Sequence, residues 1–266
     1  MDEAQTTLIV DGHIHLYPAY RPGLALRRLV DNLRELAGPP SASVAIGLLA
    51  ESARCRFYDE ICRRRAGLQA DGMTVTMGPE DGSLVVARDG LPAGFLVAGR
   101  QIVTRERLEV LALTLDHTIP DGQPLREVVA AVRSAGGVPV LSWSPGKWFA
   151  ARGRIVADLL ASSPPDSFLI GDTGLRPTCW PLPELMQTAD RLGFRRIAGS
   201  DPLPFAGEEA WLGTYGFKTR APFDADRPVS SIRRLFTDRS IPLATVGRRV
   251  GPVSFVKRWV RNQVTR

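Results

Sequence analysis

Histidine is scarce in this chain of 266 residues, occurring only at His13, His15 and His117. A site built from many imidazoles is excluded, so any bound ion must draw part of its ligand set from carboxylates. Cysteine is equally rare, at Cys55, Cys62 and Cys179, with no C-x-x-C pair. Three thiols cannot all pair within one chain, which points to a reducing, cytoplasmic compartment. Lysine is limited to Lys147, Lys218 and Lys257, so nearly all the cations behind the formal charge of +6 are arginines. The basic balance permits an anionic substrate, an acidic membrane surface or nucleic acid without choosing among them. No apolar run is long enough to span a bilayer, and the acidic opening Met1-Asp2-Glu3-Ala4 predicts no signal peptide. What is present, 44% hydrophobic residues, suffices for a sizeable core, and the length suits one domain over residues 1–266.

The chain is organised around Leu8-Ile9-Val10-Asp11-Gly12-His13-Ile14-His15-Leu16, a short apolar strand ending in two histidines. Side chains alternate along a strand, so His13 and His15 point the same way with Asp11 beneath them. Two adjacent imidazoles at a strand end begin a metal site or form a hydrogen-bonded, half-buried pair.

Helical periodicity over 24–37 stops at Gly38-Pro39-Pro40, and residues 43–50 read as a buried strand ending at Glu51. A helix is expected over about 53–70, with Cys55 and Cys62 at a core spacing. From Met73 to Thr104 the pattern becomes short and alternating, broken by Gly78-Pro79-Glu80-Asp81-Gly82 and Asp89-Gly90-Leu91-Pro92. That is hairpin grammar, and it predicts a small antiparallel ribbon. Strand and helix then alternate through strands at 108–115, 138–142, 167–170 and 195–198 and helices at 124–135, 152–161 and 183–192. Such alternation predicts parallel βα units. The expected fold is α/β: a TIM-like (β/α) barrel, distorted and of six or seven strands, with the ribbon inserted at about 73–104. A basic segment follows at about 240–266.

In such a barrel the residues just after the strands converge at one mouth. Those positions hold His13 and His15, then Glu51, then Asp116 and His117. They continue with Ser142-Trp143-Ser144-Pro145-Gly146-Lys147-Trp148, Gly171-Asp172-Thr173-Gly174-Leu175-Arg176 and Gly199-Ser200-Asp201-Pro202. Polar groups at nearly every strand end, against apolar strand bodies, mark a candidate site. Trp143 and Trp148 on a mouth loop could grip a sugar or phosphate, or pack inward as a plug.

The runs DGHIHLYP, LEVLALTLDHTIPDGQPLREVVAAVRSAGGVPVL and GSDPLPF resemble the PHP (polymerase and histidinol phosphatase) family, metal-dependent hydrolases with amidohydrolase-like barrels. The resemblance covers roughly residues 8–18 and 108–205. It implies that His13 and His15 bind metal, with Glu109 from a middle strand and Asp201 from the terminal G-S-D. The helix entry IPDGQPL is most similar to the phosphoesterase members. Two departures stand out: Ser142-Trp143-Ser144-Pro145 replaces the family's His-Pro, and no histidine follows Asp201. With fewer ligands, one divalent ion (zinc, manganese or iron) is expected rather than two or three.

The resemblance thus implies a metal-dependent hydrolase, a phosphoesterase before an amidohydrolase, acting on a small anionic, phosphorylated substrate. Asp201 or Asp172 would hold or deprotonate a metal-bound water, and Lys147 or Arg176 would neutralise the anion. The alternative is a degenerate, non-catalytic relative that binds a ligand or partner. The tail from Val246 to Arg266 reads as a basic amphipathic helix, either touching an anionic membrane or docked with its cations in water. No nucleic-acid reading motif accompanies the charge.

Overall fold

The computed structural model describes residues 5–38, 43–64 and 66–264. The chain opens with β1 (Gln5–Ile14), α1 (Pro22–Ala37), β2 (Ser43–Leu49) and α2 (Phe57–Arg63). Five strands follow: β3 (Leu68–Ala70), β4 (Met73–Met77), β5 (Ser83–Arg88), β6 (Leu91–Val97) and β7 (Gly99–Val103). Then come β8 (Glu109–Leu113), α3 (Leu125–Ser134), β9 (Val138–Ser142), α4 (Ala150–Ser162), β10 (Leu169–Thr173), α5 (Glu184–Arg191) and β11 (Arg196–Gly199). A 3₁₀ turn at Glu208–Trp211 leads to β12 (Tyr215–Pro222), α6 (Pro228–Thr237), β13 (Ala244–Gly247) and α7 (Pro252–Val264).

These strands form two mixed sheets, an eight-stranded one in the order β13-β12-β1-β2-β6-β5-β4-β3 and a five-stranded one in the order β11-β10-β9-β8-β7. The expected TIM-like barrel is therefore corrected: the described residues form no closed barrel. Such a barrel needs parallel strands throughout, whereas β1 pairs antiparallel with β12, β7 with β8, and β8 with β9. The ribbon is not a separate insertion either. β3 to β6 extend the larger sheet through the parallel β2–β6 pairing, and β7 is the edge of the other sheet.

Three apolar clusters hold the layers together. Leu26, Leu29, Val30 and Leu33 of α1 pack with Ile61 of α2 on the larger sheet. Pro22 at the first helical position and Gly38 at φ 76° just past the end delimit α1; Pro39 and Pro40 lie outside the described residues. Val128, Val132, Leu159 and Met186 from α3, α4 and α5 cover the smaller sheet. Between the sheets Val10, Ile46, Leu111, Val140 and Ile197 share one core with α6, through Ile232 and Leu235. The helix expected over 53–70 is the shorter α2: Cys55 lies before it, buried, while Cys62 is exposed, so the two do not share a core.

At two places the sheets touch through backbone. The Glu51 amide donates to Gly99 O (2.9 Å) and the Gln101 amide to Glu51 O (2.7 Å), bridging the end of β2 to β7. On the other side, β1 meets β11 through glycines. A Cβ on Gly12 would stand 2.7 Å from Ala198 O, and one on Gly199 would stand 2.4 Å from the His13 amide nitrogen. Only absent side chains let these strands approach so closely.

Candidate metal centre

That glycine-lined contact positions the site. The Asp201 amide donates to His13 O (2.9 Å), stitching the loop after β11 to the end of β1. Asp201 adopts φ 49°, a left-handed conformation that Asp tolerates better than most residues. Beneath the histidines, fully buried Asp11 accepts from the amides of His13 (3.2 Å), Ser200 (2.8 Å) and Gly213 (2.9 Å). It clasps its own strand end to two segments remote in sequence, at Ser200 and Gly213.

The two imidazoles are almost completely buried and face each other, His13 Nε2 lying 3.0 Å from His15 Nε2. Asp201 Oδ1 lies 3.6 Å from each of those nitrogens. Donors held about 2.1 Å from one ion stand roughly 3 to 3.5 Å apart, so this spacing fits a shared cation. His13, His15 and Asp201 place ligand atoms within 4.8 Å of one another. The fit extends to the supporting contacts. Thr173 Oγ1 donates to Asp201 Oδ2 (3.0 Å), and His15 Nδ1 meets the Cys55 thiol (Sγ, 3.5 Å), leaving Nε2 for an ion. Tyr17 stacks on His15 with ring centroids 5.1 Å apart.

Without an ion the triad settles its charge internally. Burial pulls the His13 pKa down against the opposing pull of Asp201. Burial acts on His15 in the same direction, but the pairing with Asp201 and the contact with Cys55 outweigh it and push its pKa up to about 10. For Asp201, burial would raise the carboxyl pKa; in the acid range where it titrates His13 is also protonated, and that charge together with the pairing to His15 reverses this and holds it well below the usual carboxylate range. At neutral pH the arrangement is a His15–Asp201 ion pair beside a neutral His13.

Glu109, expected as a fourth ligand, stands outside the triad. Gln101 separates them: its Oε1 lies 3.1 Å from His13 Nε2, and its Nε2 reaches Glu109 Oε1 at 3.5 Å. The Glu109 carboxylate is taken up by an ion pair with Lys147 and a hydrogen bond from Ser144 Oγ (2.9 Å). The Ser144–Lys147 loop thus supplies an ammonium and a hydroxyl to the Glu109 carboxylate.

Other expected site residues turn away. Asp172 is buried and accepts from Arg176 Nε (2.9 Å) and Nη2 (2.7 Å) and from the Tyr215 hydroxyl (2.7 Å). The same pairing, with a bond to Trp180 O, occupies Arg176, so this carboxylate and guanidinium satisfy each other rather than a water or substrate. Trp143 and Trp148, read from the sequence as either gripping a substrate or packing inward, are buried among the residues under α3, α4 and α5, the Trp148 Nε1 donating to Ser142 O (3.1 Å). Packing claimed both rings, and neither presents a face to ligand. Glu51 is spent on Arg100 (2.6 Å), and His117 is exposed beside Asp116.

His15 and Asp201 open onto a cleft of about 670 Å³ whose lining includes Arg54, Lys147, Arg152 and, from α7, Arg258. Gln101, Thr173 and Cys55 were not anticipated as supports of the triad. Thr173 carried a signal, since it directly follows Asp172 at the strand end. Gln101 carried none beyond being a polar residue in an apolar strand.

Compared with known proteins, the chain matches no family model and no curated protein. Among solved structures it is similar to PsfC from Pseudomonas syringae PB-5123, with a TM-score of 0.57 at 13% identity over 98% of this chain and 100% of that one. It also aligns with a two-domain protein from Bacteroides vulgatus ATCC 8482 containing a predicted PHP-like metal-dependent phosphoesterase. That alignment has a TM-score of 0.45 at 11% identity, over 98% of this chain and 70% of that one. The first likeness is one of fold alone; the second is too slight to carry an argument.

Proposed function

We propose that this protein is a metal-dependent hydrolase of phosphate esters, with one divalent ion (zinc, manganese or iron) held by His13, His15 and Asp201. One observation carries the reading: three buried donors from two sheets meet at ligand spacing beside a cleft lined by Arg54, Lys147 and Arg152. A bound ion supplies a water of lowered pKa and polarises a phosphoryl oxygen. Thr173 orients Asp201 through one oxygen and leaves the other facing His13 and His15, where it would hold the ion. Lys147 offers a cation to the anionic substrate, and its pairing with Glu109 keeps that carboxylate from serving a second ion.

The test begins with metal content, for protein purified without chelator or histidine tag, beside a His13→Ala/His15→Ala variant. Stoichiometric metal lost in the variant, with hydrolysis of phosphomonoesters or diesters lost alongside it, is the expected result. Metal retained by the variant would sink the ligand assignment. A second reading, a ligand-binding protein without turnover, is favoured by one feature: Glu109 and Asp172 are already paired with cations, leaving Asp201 as the carboxylate at the triad. Bound metal without hydrolysis of any phosphoester screened would select it.

A further inference from the structure

The cations of this chain are unevenly spread. Residues 244–266 contain Arg248, Arg249, Lys257, Arg258, Arg261 and Arg266 and no acid, so the remaining Lys and Arg balance the 28 Asp and Glu and the net charge of +6 resides in this stretch. Its helix, α7, is docked by one face. Arg258 is buried against Glu208 (Nε to Oε1 2.9 Å) and lies 4.5 Å from the Trp211 ring centroid, while Arg261 lies over Phe205 (4.2 Å).

The other face is apolar and open. Val253, Val256 and Val260 share it at helical spacing with Trp259 alongside, and they are 67%, 56%, 48% and 52% exposed in the order Val253, Val256, Val260, Trp259. The other large exposed apolar residues, Met77, Leu91, Phe149 and Leu192, are scattered on separate elements. Lys257 is exposed next to this face, and Arg248 is exposed in the segment leading to the helix. No helix among the described residues is long and apolar enough to cross a membrane, so this face suits lying on one.

We propose that the outer face of α7 docks on an anionic membrane surface, with its valines and Trp259 entering the interface and the exposed Lys257 and Arg248 meeting lipid phosphates. Charge complementarity selects this occupant. A second copy would bring two such basic stretches together, and nucleic acid would gain nothing from an exposed valine face. Phe255 and Trp259 also line the cleft, so docking sets its mouth beside the lipid head groups. The proposal does not depend on the metal reading.

The test is cosedimentation of the full chain with phosphatidylcholine vesicles made with or without phosphatidylglycerol, at low and high salt. Expected is binding to the anionic vesicles alone, weakened by salt, and equal in the His13→Ala/His15→Ala variant. Val256→Asp/Val260→Asp should abolish it with an unchanged melting temperature, since both side chains are exposed. Lys257→Gln should weaken it roughly fivefold. Equal sedimentation with neutral vesicles, no sedimentation, or full binding by the double-aspartate variant overturns the proposal. So does a concentration-dependent dimer, or a nucleic-acid complex, that the same variant abolishes.

Discussion

His13 and His15 meet with their Nε2 atoms 3.0 Å apart, too close for both rings to carry a proton there. The structure resolves the conflict by keeping His13 neutral and giving the proton to His15, whose pKa rises to about 10 through Asp201 and Cys55 despite its burial.

This has a pH signature in metal-free protein. A histidine whose folded pKa exceeds its unfolded value stabilises the fold fully below the unfolded pKa, and the gain is lost as pH rises through the folded one. For His15 that window runs from 6.5 to about 10. Thermal unfolding of chelator-treated protein should show a falling melting temperature across it, and His15→Gln should flatten the slope. An equal slope in the variant would assign the dependence to other groups.

Metal binding should release that proton. Below the His15 pKa the apparent affinity is expected to rise about tenfold per pH unit, one proton leaving for each ion bound. Calorimetry in two buffers of different ionisation enthalpy counts the protons directly. A count of zero near neutral pH would mean that His15 is not protonated in the metal-free site.

Thr173→Val keeps the shape of a fully buried residue while removing the hydroxyl that holds Asp201 Oδ2 and accepts from the Leu175 amide (3.1 Å). Metal affinity should fall by about 10- to 100-fold with the triad intact. An unchanged dissociation constant would show that Asp201 needs no such orientation.

Asp11→Ala strips the acceptor from three amides, those of His13, Ser200 and Gly213. Denaturant unfolding should register a loss of about 3–5 kcal/mol, since each buried donor left unmade costs of order 1–3 kcal/mol. A loss below about 1 kcal/mol would mean that water or a neighbour replaces the carboxylate.

His13, His15 and Asp201 were legible as polar residues at strand ends, His13 within the last pleat of β1 and the other two just after β1 and β11, while their grouping as one ligand set came from the resemblance. The architecture was not. β8, α3 and β9 read as a strand–helix–strand unit, yet β8 and β9 pair antiparallel, because strand direction is set by the partner and not by the strand's own residues. Asp172 and Asp201 look alike in sequence; only the i,i+4 position of Arg176 hinted that one was locally paired. Two elements carried a readable pattern and were passed over. Tyr215, Phe217, Thr219 and Ala221 alternate along β12, and Val229, Ile232, Leu235 and Phe236 fall at helical spacing in α6.

The contact of β1 with β11 through Gly12 and Gly199 bears on the order in which the molecule is made. Residues 13 and 15 leave the ribosome long before residue 201, and the Asp11 clasp also waits for the amide of Gly213. At about 5–20 residues per second the two histidines spend roughly 10–40 s on a nascent chain without their carboxylate partner. An ion captured in that interval would meet two imidazoles on an unfinished strand. Selective loading is therefore expected to follow translation, once the two sheets have closed on each other.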